Sequence, residues 1–187
     1  VYADDFIAGF QYPWEAERFY EQLRSRMAKF GLELEENKSR IVESGRYLAS
    51  LKAKRGESTR LGTFDFLGFT FYCGRTTKGN PWIMPKTSSK KFRQKVKEIK
   101  IWLYNNKEQK LGKLMYMLNV KLVGHYRYYG ISFNSRMISN YKQQVRELLY
   151  KVLNRRSEKK SYTREGFIEM MKYYKLVNPK IYYSLFC

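Results

Sequence analysis

Residues 63–96, TFDFLGFTFYCGRTTKGNPWIMPKTSSKKFRQKV, pass from one hydrophobic period to another. TFDFLGFTFYC (63–73) sets its aromatic residues in alternation, the period-two pattern of a strand. GRTTKGN (74–80) supplies turn residues, and PWIM (81–84) a returning strand. From Pro85 the spacing becomes helical: Ser and Thr residues offer caps, and Phe92, Val96, Ile99 and Leu103 fall on one face. A strand-rich part therefore meets an all-helical part near residue 85, which makes the chain α+β.

Outward from that junction the same reasoning places the remaining elements. Leu111, Leu114, Leu118 and Leu122 mark a second helix, and Ile138, Tyr141, Val145, Leu148 and Val152 a third. A shorter fourth starts at Thr163 and uses Phe167, Met170 and Met171. Upstream, VYADDFIAGF (1–10) reads as two short strands around an Asp-Asp turn, with Tyr2 before it and Phe6 and Ala8 after it. Pro13 precedes a helix carrying Ala16, Phe19, Tyr20, Leu23, Met27 and Phe30, closed by Gly31. LELEENKSRIVES (32–44) reads as an extended segment or a turn into a strand, and the polar, basic residues 45–62 as a loop.

Composition narrows the function. A chain of 187 residues that is 43% hydrophobic can bury a core as one domain or two small ones. No run approaches the roughly 18 apolar residues of a membrane span, and the first residues lack the pattern of a signal peptide. With two distant cysteines, Cys73 and Cys187, and one histidine, a disulfide framework and Cys/His zinc modules are excluded. No membrane partner and a cytoplasmic setting are expected. The net charge is +20 and unevenly placed. Residues 86–187 hold 24 Lys+Arg against 6 Asp+Glu, a net of +18, with 12 of the 17 tyrosines; residues 1–85 have a net of only +2. Cations pair with phosphates and aromatics stack on bases, so the second half reads as facing nucleic acid. The bland alternative is a solvated basic face; an acidic membrane surface is weaker, because no helix is both strongly amphipathic and free-standing.

The adjacent carboxylates Asp4 and Asp5 are the candidate chemistry. Two aspartates repel each other unless a dication sits between them, and Mg²⁺ prefers hard oxygen ligands. In nucleotidyl transfer two such metals clamp the attacking and leaving oxygens. Asp is also an ordinary turn residue, and that reading stands beside the metal one. What favours chemistry is the frame: an aromatic, one spacer, then both acids, within apolar β-type residues.

The frame Tyr2-Ala3-Asp4-Asp5 resembles the catalytic motif of reverse transcriptases, and later segments agree in order and spacing. GLELEENKSRIV (31–42) looks like the next palm motif, whose lysine, here Lys38, lies near the triphosphate in such polymerases; its other reading is a loop lysine. FDFLGFTF (64–71) looks like the primer grip, with Phe66, Leu67, Gly68 and Phe69 in the family pattern; the same residues also read as a buried strand. LNVKLVGHYRYYGIS (118–132) and LLYKVLNRRSEKKSYTREGFIEMMK (148–172) resemble the thumb and maturase region of bacterial group II intron-encoded proteins. There Leu118, Asn119, Leu122, Gly124, His125, Tyr126, Tyr128, Tyr129 and Gly130 follow the pattern, as do Leu153, Asn154, Arg155, Arg156, Ser157, Tyr162, Thr163 and Phe167.

The resemblance implies that residues 1–85 are the C-terminal part of a right-hand polymerase palm, built of β-hairpins plus a helix. Residues 86–187 would be the all-α thumb bundle, gripping intron RNA and the RNA–DNA duplex. It implies catalytic roles for Asp4, Asp5 and Lys38, with Asp4 and Asp5 as Mg²⁺ ligands. The nucleic-acid contacts expected are Lys90, Lys91, Arg93, Arg127, Arg155, Arg156, Lys159 and Lys160, of which the last four form a dense cationic cluster that also reads as an exposed linker. His125 lacks spaced metal-ligand neighbours and reads as structural or stacking. Tyr126, Tyr128 and Tyr129 cannot share one helical face, so some pack inward and others face solvent.

Such a polymerase also needs fingers and a third metal-binding carboxylate, and no other acid here has the matching context. The expectation is an N-terminal fingers/palm segment, in cis or as a separate fragment, and no polymerisation by this chain alone. Two rival readings remain: an RNA-binding maturase or chaperone module without polymerase activity, and another prokaryotic reverse transcriptase of retron or defence type. The sequence after Gly112 favours the intron family over the latter.

Overall fold

The computed structural model describes residues 5–35, 39–56, 61–155 and 162–185, with the backbone alone at Arg46 and Ala53. The architecture is α+β, a three-stranded antiparallel sheet with six helices among the described residues. In chain order these are α1 (Pro13–Ala28), α2 (Arg46–Lys54), β1 (Phe64–Phe66), β2 (Phe69–Arg75), β3 (Pro81–Thr87), α3 (Ser89–Asn105), α4 (Leu111–Tyr129), α5 (Ser135–Leu153) and α6 (Arg164–Tyr173). The sheet order is β1-β2-β3, as short hairpin connections require. The chain divides into two compact units, Val1–Phe66 with Phe71–Ile83, and Leu67–Thr70 with Met84–Cys187.

In the first unit, α1 starts where Pro13 fixes the first helical φ, and the Tyr12 N–H donates to the Glu15 carboxylate at 3.2 Å. None of its residues is fully buried, although Ala16, Tyr20, Leu23 and Met27 are half-covered and Phe19 packs on Phe10 at 5.1 Å between ring centres. Gly31 adopts φ +68 beyond the helix end, as the expected terminator should.

The first unit departs from expectation in two places. Residues 6–10 are not a strand: Phe6, Ile7 and Phe10 are exposed, and no neighbouring strand among the described residues takes their backbone groups. Residues 32–35 and 39–45 form no strand either, and residues 45–62 are not simply a loop. Between Gly45 and Gly56, both at positive φ, the good helix formers of RYLASLKAK build α2, with Ala49 buried. The glycines bound a helix rather than marking a loop.

TFDFLGFTFYC is not one strand but two. Leu67 (φ +48) and Gly68 (φ +79) make a two-residue turn with both central residues left-handed, the geometry that matches strand twist. The period-two pattern shifts by one residue at the turn, from Phe64 and Phe66 to Phe69 and Phe71, and Phe64 stacks on Phe71 at 5.1 Å. β3 runs on through Pro85 to Thr87, three residues beyond the predicted PWIM.

The second unit is built on helices at the predicted places. Ser88 caps α3 by accepting from the Lys91 N–H at 3.3 Å, and Thr163 caps α6 by accepting from Gly166 at 3.1 Å. Its core joins Ile99 and Leu103 of α3, Leu114, Leu118 and Leu122 of α4, and Ile138, Tyr141, Val145, Leu149 and Val152 of α5. Burying such side chains stabilises the fold by about 1.5–3 kcal/mol each. α3 packs chiefly against α5, its neighbour in space rather than in sequence. Among the described residues no helix is long and apolar enough to cross a membrane.

Candidate nucleic-acid interface

The turn at Leu67–Gly68 is held within the second unit by aromatic and polar contacts. Phe69, buried, lies parallel to Tyr128 at 6.0 Å and tilted on Tyr129 at 5.3 Å. The Tyr128 hydroxyl donates to the Leu67 carbonyl at 2.9 Å, and the Ser88 N–H to the Gly68 carbonyl at 2.9 Å. A methyl group on Gly68 would stand 3.3 Å from the Tyr129 hydroxyl and 3.5 Å from Lys91 Cγ. Glycine is thus required twice, for its backbone angle and for this close approach.

From Tyr129 the ring contacts continue through His125 (4.7 Å) to Tyr141 (3.7 Å, near-parallel) and on to Phe92 (6.2 Å). Burial, with Lys95 adding its charge, pushes the His125 pKa down to about 4, so the ring is neutral at physiological pH. It is a packed, stacking histidine, as its lack of ligand-type neighbours indicated. Of the three nearby tyrosines, Tyr126 and Tyr129 turn inward and Tyr128 stays half exposed. Burial raises the pKa of Tyr126, Tyr129 and Tyr141.

A second lock lies next to it. The Asn134 side chain, with no exposed surface, accepts from the Thr87 N–H (2.8 Å) and donates to Thr87 Oγ1 (2.9 Å) and the Tyr129 carbonyl (2.8 Å). On α4, Asn119 holds residues 175–177: its amide donates to the Lys175 carbonyl and accepts from the Val177 N–H, each at 2.9 Å. Further on, the Gly130 carbonyl accepts from Tyr182 and Tyr183. A Cβ at Gly130 would collide with the Tyr126 and Lys180 carbonyls, so the chain passes there only because the side chain is absent.

Cations decorate this scaffold. Lys90, Lys91 and Arg93 are exposed on the first turn of α3, and the Arg93 guanidinium donates to the Ser89 carbonyl at 3.3 Å. Arg127 is exposed on α4. Arg155, at the end of α5, donates to the Tyr104 hydroxyl at 2.5 Å and lies 5.9 Å from that ring's centre, while Lys121 sits 5.0 Å over Trp102. Cation–aromatic pairs of this kind leave the charge accessible while holding the side chain in place. The pairing of Trp102 and Tyr104 with cations from other helices carries no sequence signal.

Other predicted site residues lie apart from this scaffold. Asp4, Lys38, Arg156, Lys159 and Lys160 fall outside the described residues. Asp5 is exposed, and among the described residues no three His, Cys, Asp or Glu side chains gather where a metal ion could be held. The described residues therefore do not by themselves fit a Mg²⁺ centre.

Residues 89–174, from the first turn of α3 to the end of α6, match the family model described as the group II intron, maturase-specific domain. Neither the curated proteins nor the solved structures give a match. The matched stretch holds the helical core, the His125 stack and Asn134, and over these residues the chain is similar to the group II intron maturase-specific domain.

Proposed function

We propose that the chain is the C-terminal portion of a bacterial, cytoplasmic group II intron reverse transcriptase/maturase. In this reading residues 86–187 are a thumb-type bundle that binds intron RNA and the RNA–DNA duplex, and residues 1–85 the end of a polymerase palm. The observation that carries it is the maturase-domain match over residues 89–174, coinciding with 24 Lys+Arg against 6 Asp+Glu in residues 86–187. Lys90, Lys91, Arg93, Arg127 and Arg155 supply phosphate contacts, joined by Arg156, Lys159 and Lys160. The turn Phe66-Leu67-Gly68-Phe69 acts as the primer grip; its support is the rigid seating of Leu67–Phe69 on Tyr128 and Tyr129.

In the same proposal Asp4 and Asp5 are Mg²⁺ ligands completed by a carboxylate of a fingers/palm segment, with Lys38 near the nucleotide. The exposed apolar surface of Trp14 on α1 favours such a partner segment. Reconstitution with that segment tests the polymerase reading by Mg²⁺-dependent primer extension on RNA. Extension that survives Asp4→Ala and Asp5→Ala would refute the metal-ligand assignment.

For the binding reading, the affinity of the full chain for a structured intron RNA is measured across a salt series. A steep fall with salt is expected, because each phosphate contact releases counterions. Replacing Lys90, Lys91 and Arg93 by Ala lowers affinity and flattens the log–log slope by about 1 for each phosphate-binding cation removed. A flat salt dependence of the unaltered chain refutes the RNA-binding assignment.

A further inference from the structure

The side of α4 turned away from the leucine stripe carries a second surface. With residues 175–178 it encloses an open groove of about 720 Å³, within the size range of small-ligand sites. Tyr116 lines it, 72% exposed, and Val120, Val123 and Leu176 supply apolar walls. Among the described residues the Tyr116 ring has no stacking partner. The charged lining groups are Arg127 and Lys175, and neither pairs with a carboxylate among the described residues. Gly124 also lines the groove, with nothing within 4 Å of where a Cβ would be. The far wall is fixed by the two Asn119 hydrogen bonds to residues 175 and 177, just past the end of the matched maturase domain at residue 174.

An apolar slot with a free aromatic ring and two unneutralised cations suits a ligand that is planar, apolar on its faces and anionic at its edge. A second copy of this chain is disfavoured, because residues 86–187 carry a net +18 and would repel one another. We propose that this groove binds an unpaired nucleotide of single-stranded RNA, its base against Tyr116 and the valine wall and its phosphate on Arg127 and Lys175. The inference rests on the RNA-binding reading above and adds to it a place where a base, rather than duplex backbone, is held. Stacking on an aromatic is tolerant of base identity, so little sequence preference is expected.

The test uses the full chain, a labelled short oligouridylate and a blunt RNA duplex of similar charge, read by fluorescence anisotropy. Gly124→Leu fills the groove with a good helix former and alters no charge. Tyr116→Ala removes the exposed ring. Each is expected to weaken oligouridylate binding, by roughly 5- to 150-fold for the loss of one base–aromatic stack, and to leave duplex binding unchanged. Unchanged oligouridylate affinity in both variants, with duplex still bound, overturns the groove assignment alone. If the unaltered chain binds neither RNA, the underlying RNA-binding reading fails instead. Displacement of the oligouridylate by a synthetic Glu/Leu amphipathic peptide at lower concentration would overturn the nucleotide in favour of a protein partner.

Discussion

Replacing Asn134 by Ala should damage the second unit far more than a single small side chain suggests. The substitution leaves the Thr87 N–H, in a residue only 2% exposed, without its acceptor. A buried donor left unpaired costs about 1–3 kcal/mol. Two more hydrogen bonds disappear, to Thr87 Oγ1 and to the Tyr129 carbonyl. That carbonyl still accepts from the Ile131 N–H at 2.9 Å, so it is weakened rather than orphaned. Each of these two bonds adds about 0.5–1.5 kcal/mol, for a total of about 2–6 kcal/mol. Against a typical stability of about 5–15 kcal/mol this is a large fraction. The assay is urea unfolding followed by far-ultraviolet circular dichroism, where the midpoint should fall at constant slope. Thr87→Val supplies the check: with the hydroxyl gone, Asn134→Ala should cost about 0.5–1.5 kcal/mol less than in the unaltered chain. A loss below about 0.5 kcal/mol, typical of an ordinary surface change, would refute the claim that this amide ties Thr87 to the α4–α5 turn.

Two further outcomes follow from the same region. The His125 pKa of about 4 lies below its ordinary 6.5, because burial first and Lys95 second disfavour its charged form. The unfolded chain therefore takes up a proton that the folded one refuses, and stability present above pH 6.5 falls as pH drops toward 4, by about 2–4 kcal/mol. Urea midpoints across that range, flattened in His125→Gln, check it; an equal acid loss in the variant refutes it. Gly68→Ala forces an L side chain to φ +79 beside the Tyr129 hydroxyl and should cost about 1–2 kcal/mol in the same unfolding assay. A neutral result would mean that the turn relaxes without resistance.

The helical half was legible because its periodicity and its caps agree. Ile99 and Leu103, Leu114, Leu118 and Leu122, and Ile138 to Val152 each repeat at helical spacing, and Ser88 and Thr163 stand where N-caps belong. Strand partition was less legible, since Phe64 and Phe66 alternate just as Phe69 and Phe71 do, and only the three-residue step from Phe66 to Phe69 marks the Leu67–Gly68 turn. Leucine is an unusual occupant of a left-handed turn position, so Leu67 disguised the break. α2 was hidden by its flanking glycines, which are turn formers in isolation but helix boundaries here. For the candidate interface, the identity of exposed cations was readable and their arrangement was not. Arg155 meets Tyr104 across a separation of 51 residues, and Asn134 meets Thr87 across 47. No window of sequence contains such pairs. Tyr116, Val120 and Gly124 do repeat every four residues on the side of α4 opposite its leucines, a faint mark of a second apolar face.

The preference of α3 for α5 has a consequence for how the chain is made. Phe92 and Tyr141 meet edge to face, and the Tyr141 hydroxyl reaches the Lys95 carbonyl across 46 residues. Ribosomes add about 5–20 residues per second, so α3 emerges roughly 2–10 seconds before the helix that covers it. For that interval Ile99 and Leu103, both buried in the finished unit, face solvent on a strongly cationic helix. Charge repulsion between nascent chains then takes the place that packing fills later, keeping an uncovered apolar stripe from associating with its copies.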